Sequence, residues 1–399
     1  MESFYISPSV LGTESFLEVS PEGFSTRTKL PPGSWLLSGE HKNTGPLCLD
    51  SLIRLGGVDV KTRPDDRWTN MMKVVGCESN APWSQVMPSS VYRGYVKNIV
   101  KTIVGNAKRL PEEYYVNTWH QCGQLFEALR PAKIDLQTHK SLSESGPGNG
   151  SLETFKPGAG GFAQVVAYDR FGTRTGRLTV QQGPQILTLK KEHRKILKSY
   201  YQSGSIISLD FSSLEARVLL YDAGRNPKGD VYEHVSNEIF GGAVPRAVVK
   251  VAVLSELYGA SRSTLKQRLE MDDVSLDRFV AGIKEYFKTD ELRRRLRSEY
   301  DSTGRIVNRF GRPLFLDGKN IDHLLVNTYA QSTGVDVSLL GFKSILNILG
   351  TDGIRPLYIL HDALILDVRD DRIGEVESIT SIAVNGYSEP FLLKAEKLC

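Results

Sequence analysis

Cysteine is scarce in this chain of 399 residues: Cys48, Cys77, Cys122 and Cys399 are scattered, and no Cys-x-x-Cys spacing occurs. That excludes a zinc knuckle and a disulfide framework and suits a reducing, cytoplasmic compartment. No stretch approaches the roughly 20 unbroken apolar residues of a membrane span. The amino terminus lacks a basic segment followed by an apolar one, so neither membrane insertion nor secretion is expected. Repeats at a period of about 20 to 50 residues are absent too, which removes solenoids and propellers. Charge of one sign is in short supply: 50 Lys and Arg against 46 Asp and Glu leave +4, too little by itself to indicate a nucleic-acid partner. What is present is an ordinary globular mixture, 40% hydrophobic and 24% charged, enough to bury a full core. At about 150 residues per domain the length suggests two or three domains.

Residues 1–85 are rich in Pro, Gly and Ser, show no sustained periodicity, and suggest no role. From about residue 89 to 136 the pattern turns helical, with Val91, Tyr95, Ile99 and Ile103 recurring at i+4 and Pro111-Glu112-Glu113 opening a second helix, so a helical hairpin is expected. The stretch 139–162, with Ser-Gly-Pro-Gly-Asn-Gly at 145–150, reads as a flexible connection and the best domain boundary. Beyond it, 205–211 has strand character and leads into a helical stretch at 213–221. Helices are expected at about 230–240, 246–257, 275–300 and 322–349, a short strand-like piece at 304–315, and two apolar strands over 356–368 meeting at His361-Asp362. Strands, a large helical insertion and strands again make an α+β pattern.

Two aspartates stand out. Asp210 ends an apolar strand, and Asp362 lies between Leu357-Tyr-Ile-Leu360 and Leu364-Ile-Leu366. A bare carboxylate in such surroundings is costly, so each needs a partner. One reading is a turn aspartate and an ion-paired aspartate. The other is a pair of hard oxygen ligands for Mg²⁺, which keeps several waters and borrows substrate phosphate oxygens. Two such ions serve in-line phosphoryl transfer. Arg246, Lys250, Leu254 and Tyr258 then recur every four residues, stacking two cations, an apolar residue and an aromatic along one helical face. Cations near a helix amino terminus suit a triphosphate, and Tyr258 offers a ring to a base; a solvated basic face with Tyr258 in the core is the alternative.

With these segments in view, the sequence resembles the family A DNA polymerases, the group of bacterial DNA polymerase I and its phage relatives. Asp210-Phe-Ser-Ser-Leu-Glu-Ala-Arg217 is similar to the family's motif A, Arg246 to Gly259 to motif B, and Leu360-His361-Asp362-Ala363 to motif C. Thr175-Gly-Arg-Leu-Thr179 and Asn327-Thr-Tyr-Ala-Gln331-Ser-Thr-Gly334 resemble two further family segments, in order. The resemblance implies a right-hand fold with an antiparallel palm sheet, helical fingers and a helical thumb. On that scheme 86–172 is thumb with its connection, 173–229 and 301–399 are palm, and 230–300 are fingers. The stretch from Val91 to Leu110 holds Arg93, Lys97, Lys101, Lys108 and Arg109 with no acid, as a surface tracking DNA phosphates would need; a solvated charged helix is the alternative.

The implied chemistry is attack of a primer 3′-hydroxyl on the α-phosphate of a deoxynucleoside triphosphate (dNTP). The resemblance implies that Asp210, Asp362 and the carbonyl of Phe211 hold two Mg²⁺ ions and that Arg246 and Lys250 bind the triphosphate. Tyr258 and Glu215 would close the space of a ribose 2′-hydroxyl, favouring DNA over RNA synthesis, with Leu254 on the same nucleotide face. Arg177, Asn327, Gln331 and His361 would meet the primer-template near the primer end. Two positions depart from the family pattern: Ala363 where many relatives carry Glu, and Leu254 where an aromatic is common. No Asp-x-Glu cluster precedes Thr175, so no proofreading exonuclease is expected in this chain, and a separate exonuclease or processivity subunit could supply that role. A phage origin, with action in the host cytoplasm, is expected from the 327–332 segment.

Overall fold

The computed structural model describes residues 1–40, 47–77, 80–144, 150–318 and 321–398. The chain divides into two compact units, one of Met1–Gln124 with Gly311–Pro313, the other of Leu125–Phe310 with the residues from Leu314 onward. The division falls upstream of the stretch 139–162. Gly-Pro-Gly within that stretch, expected as a flexible connection, lies outside the described residues, and helices Leu136–Glu144 and Gly150–Glu153 stand on either side.

In the first unit, residues 1–85, which show no sustained periodicity, form short strands. Strands β1 (Phe4–Ile6), β2 (Phe16–Ser20), β3 (Gly23–Arg27), β4 (Trp35–Leu37) and β5 (Leu47–Cys48) form one sheet in the order β3-β2-β1-β4-β5. β1 pairs antiparallel with β2 and parallel with β4. Strands of two to five residues are too short to show alternation, which is why the sequence hid them. Helix α1 (Ser89–Asn106) follows, with Ile99 and Ile103 buried as their spacing requires. The expected second helix is broken: Glu112–Tyr114 passes into a wider π-type winding over Tyr115–Trp119, where Tyr114, Tyr115 and Trp119 are all buried.

The second unit is built on an antiparallel sheet of β6 (Gly204–Phe211), β7 (Ile354–Leu360), β8 (Ala363–Arg369), β9 (Ser381–Ile382) and β10 (Phe391–Lys397), in the order β7-β8-β6-β10-β9. Between β6 and β7 the chain forms α2 (Leu214–Asp222), α3 (Val231–Phe240), α4 (Arg246–Leu257), α5 (Arg262–Leu269), α6 (Asp273–Phe287), α7 (Thr289–Thr303) and α8 (Asp322–Leu349). Their shared core includes Leu219, Val235, Val249, Val253, Phe287, Leu296 and Tyr329. The single helix expected at 275–300 is two, because Lys288 adopts φ +51 and turns the chain between α6 and α7. Among the described residues no helix is long and apolar enough to cross a membrane.

Candidate active site

Asp210 is the penultimate residue of β6, the central strand of the sheet. One residue beyond Phe211 and Ser212, Ser213 takes φ +54, a left-handed conformation that swings the chain abruptly into α2. Asp362 lies in the two-residue loop joining β7 to β8, where His361 has φ +55. Tight two-residue hairpin loops favour positive φ at the first loop position, and a non-glycine residue held there stores strain. The register pairs Asp210 with Ala363, and the Phe211 N–H donates to the Asp362 carbonyl at 3.0 Å, so the two aspartates arise from adjacent strands at one level.

They open on a cleft of about 430 Å³ whose walls include Asp210, Phe211, Glu215, Arg246, Lys250, Leu254, Tyr258 and Asp362. Asp210 faces the cleft, yet burial of its base, reinforced by Asp362 and Glu396, pushes its carboxyl up to about 7. Asp362 is also raised, chiefly by burial. Two carboxylates that each resist ionisation are relieved by a divalent cation. Among the described residues no three His, Cys, Asp or Glu gather as a metal cage. A hard ion that takes few protein oxygens and completes its shell with water and phosphate, as Mg²⁺ does, fits this donor set.

Helix α4 supplies the facing wall. Val249, Ala252, Val253 and Leu257 point into the core, leaving Arg246, Lys250, Leu254 and Tyr258 along the open side. Arg246 donates to Asp230 at 2.6 Å, while the other Asp230 oxygen caps α3 through the Tyr232 and Glu233 N–H groups. The Tyr232 ring lies 5.5 Å from the Arg246 guanidinium and 5.8 Å from the Lys250 ammonium, so both cations share one aromatic ring. At the far end of α4, Gly259 has φ +66, and a Cβ there would lie 2.7 Å from the His323 carbonyl, so only glycine lets α4 leave so close to α8.

Glu215 joins the two walls. It accepts from Arg177 at 2.6 Å and from the Tyr258 hydroxyl at 2.7 Å. Burial and this carboxylate push the Tyr258 hydroxyl up to about 12. A smaller adjoining cleft brings Arg177, Glu215, Gln331, His361 and Asp362 together. With its amide oriented to satisfy both ends, Gln331 donates to Thr175 at 2.7 Å and accepts from Arg177 at 3.0 Å. Burial and nearby Arg177 lower the His361 pKa.

Asn327, one turn from Gln331 on α8, is absent from the linings of both clefts, and its buried side-chain oxygen has no hydrogen-bond partner. Lys97 and Lys101 sit elsewhere, exposed on α1 in the first unit, where they border an apolar groove with Phe16, Phe24 and Val100. Three cleft residues escaped the sequence reading. Asp230 carried a signal, since Asp-x-x-Glu at 230–233 marks a helix start. Tyr232 and Lys394 carried none, because their places depend on packing and strand register.

The family model for DNA polymerase family A matches residues 165–391. The thermostable DNA polymerase I of Thermus thermophilus is 24% identical over 249 residues, 54% of this chain and 29% of that protein. That of Thermus filiformis is 24% identical over 259 residues, 57% of this chain and 31% of that protein. The matched stretch thus spans less than a third of either relative. In fold, the chain is similar to the POL domain of Pol1 from M. smegmatis, solved in complex with DNA primer-template and dNTP, with a TM-score of 0.60 at 12% identity, covering 99% of this chain and 95% of that one. The architecture is therefore the α+β fold of a polymerase domain, and, with its family match extending over more than half its length, the chain belongs to DNA polymerase family A.

Proposed function

We propose that this chain is a template-directed DNA polymerase that extends a primer 3′ end with dNTPs by two-metal phosphoryl transfer. The observation that carries the reading is one cleft with Asp210 and Asp362 on its sheet side and Arg246 and Lys250 on its helix side. On this reading β6 to β10 with α2 and α8 are palm, α3 to α7 fingers, and α1 part of a thumb. Asp210, Asp362 and the Phe211 carbonyl would hold two Mg²⁺ ions, which supply charge neutralisation at the attacking and leaving oxygens. Arg246 leaves Asp230 to grip the triphosphate with Lys250, placing preorganised cations where negative charge develops. Tyr258 and Leu254 carry the base and sugar, Glu215 fixes Tyr258, and Arg177, Gln331 and His361 border the primer end, with Asn327 beside them on α8. Phage replication in a host cytoplasm, and synthesis without proofreading by this chain, belong to the same reading.

Primer extension with dNTPs and ribonucleotides offered separately is the test. Primer-dependent dNTP incorporation, abolished by Asp210→Asn with primer-template affinity retained, is the expected outcome. Unprimed synthesis from ribonucleotides would overturn it in favour of an RNA polymerase. Degradation of a mismatched primer by the pure protein would refute the absence of proofreading.

A further inference from the structure

Strand β10 brings a further cation to the cleft, besides Arg177, Arg246 and Lys250. In the β6–β10 ladder Asp210 lies directly opposite Lys394, while on its other side it lies opposite Ala363. Directly opposed residues of an antiparallel pair stand on the same face with Cβ atoms about 4.5 to 5.5 Å apart. Phe391 and Leu393 are buried on the inner face of β10, so alternation turns Lys394 outward, and it borders the cleft with Asp210, Arg246 and Lys250. Glu396, the next acid along that face, is taken by Lys191 at 2.8 Å. Among the described residues no carboxylate within ion-pair distance claims the Lys394 ammonium.

We infer that Lys394 binds the pyrophosphate portion of the incoming nucleotide, an assignment that rests on the polymerase reading above. Across the sheet at this level the order is the β7–β8 loop with Asp362, then Asp210, then Lys394. In-line displacement puts the attacking and leaving oxygens on opposite sides of the α-phosphorus. With the primer end beside His361 and Asp362, the leaving group lies across Asp210, on the Lys394 side. The primer 3′-oxygen forms the new bond to the α-phosphorus and its proton passes to solvent. The bond to the β-phosphate oxygen breaks and its electron pair leaves with pyrophosphate. Charge accumulates there, between Arg246 and Lys250 from α4 and Lys394 from the sheet. A lysine is suited to this task as a mobile point charge with three donors.

The experiment compares full-length wild type, Lys394→Met and Lys394→Arg in nucleotide incorporation, in pyrophosphorolysis, and in calorimetric binding of inorganic pyrophosphate. Loss of one charge-assisted contact predicts that Lys394→Met raises the apparent KM for dNTP and for pyrophosphate about ten-fold. Primer-template Kd stays unchanged, which also reports an intact fold, and Lys394→Arg retains most of the affinity. Unchanged dNTP and pyrophosphate affinities in Lys394→Met overturn the inference, as does a selective loss of primer-template affinity, which would make Lys394 a DNA contact. A wild type that never extends a primer fails the polymerase reading instead. In that case pyrophosphate binding still decides the anion site: weakening by Lys394→Met supports it, and equal binding overturns it.

Discussion

At the scale of single residues, Gly341 shows how the site depends on groups outside it. Glycine in the middle of a helix costs about 1 kcal/mol relative to alanine, yet Gly341 sits within the 28 residues of α8. A Cβ there would lie 2.7 Å from Cζ of Phe211 and 3.3 Å from Ile382. The Phe211 ring is itself held by Phe342 at 5.3 Å and Phe391 at 6.3 Å. Gly341→Ala therefore loses by overlap what it gains in helix propensity. We predict a net destabilisation of about 1 to 3 kcal/mol in urea unfolding, with slower nucleotide incorporation because Phe211 carries the backbone next to Asp210. A stabilised variant would mean that the ring yields freely. Glu215 is a second such point. Its replacement by Ala removes the shared acceptor of Arg177 and Tyr258, and we predict that the preference for dNTP over ribonucleotide in kcat/KM falls about ten-fold or more. Unaltered discrimination would place sugar selection elsewhere in the cleft.

Among the elements, the outer strand β7 has an unusual support. The Tyr168 hydroxyl donates to the Ile359 carbonyl at 2.8 Å and accepts from the Ile359 N–H at 3.0 Å, closing one residue of an edge strand as a neighbouring strand would. Both residues are buried. Tyr168→Phe orphans both backbone groups at once, with an expected cost of about 2 to 4 kcal/mol. The effect should appear in the denaturant midpoint and as faster amide exchange in β7, whose end carries the His361–Asp362 loop; normal exchange there would show that water replaces the hydroxyl. Legibility in the sequence followed the same divide between local and distant forces. Helices α1 and α4 announced themselves through i+4 rows, and the β7–β8 hairpin through apolar runs on both sides of two polar residues. The turn at Lys288 was invisible because a lysine in a left-handed conformation leaves no compositional mark. The strands of the first sheet were too short for a period. At the candidate site, motif spacing picked out Asp210, Arg246, Lys250 and Asp362, but Lys394 becomes a neighbour of Asp210 only through a strand pairing that spans most of the second unit.

Over the whole molecule, a net charge of +4 is a weak attraction for a polyanion by itself, so on the polymerase reading affinity for DNA depends on where cations cluster. The residues from Val91 to Leu110 contain no acid, and Lys97 and Lys101 stand exposed on α1. Each lysine that neutralises a phosphate releases condensed counterions, and the slope of log affinity against log salt changes by about 0.9 per contact. Replacing Lys97 and Lys101 with Ala together should flatten that slope by about 1.8 if both meet phosphates. The KM for dNTP should stay the same, because the cleft is lined entirely by residues of the second unit. The salt series separates two roles that a single binding constant would merge. If the lysines contact phosphate, the double variant binds DNA more weakly than wild type, most of all at low salt, and converges with it as salt rises. The alternative role follows from the apolar groove that the two lysines border with Phe16, Phe24 and Val100. If their aliphatic stems serve mainly to cover that groove, the double variant loses stability while its DNA slope matches wild type, and the DNA-holding cations must then be sought elsewhere on the chain.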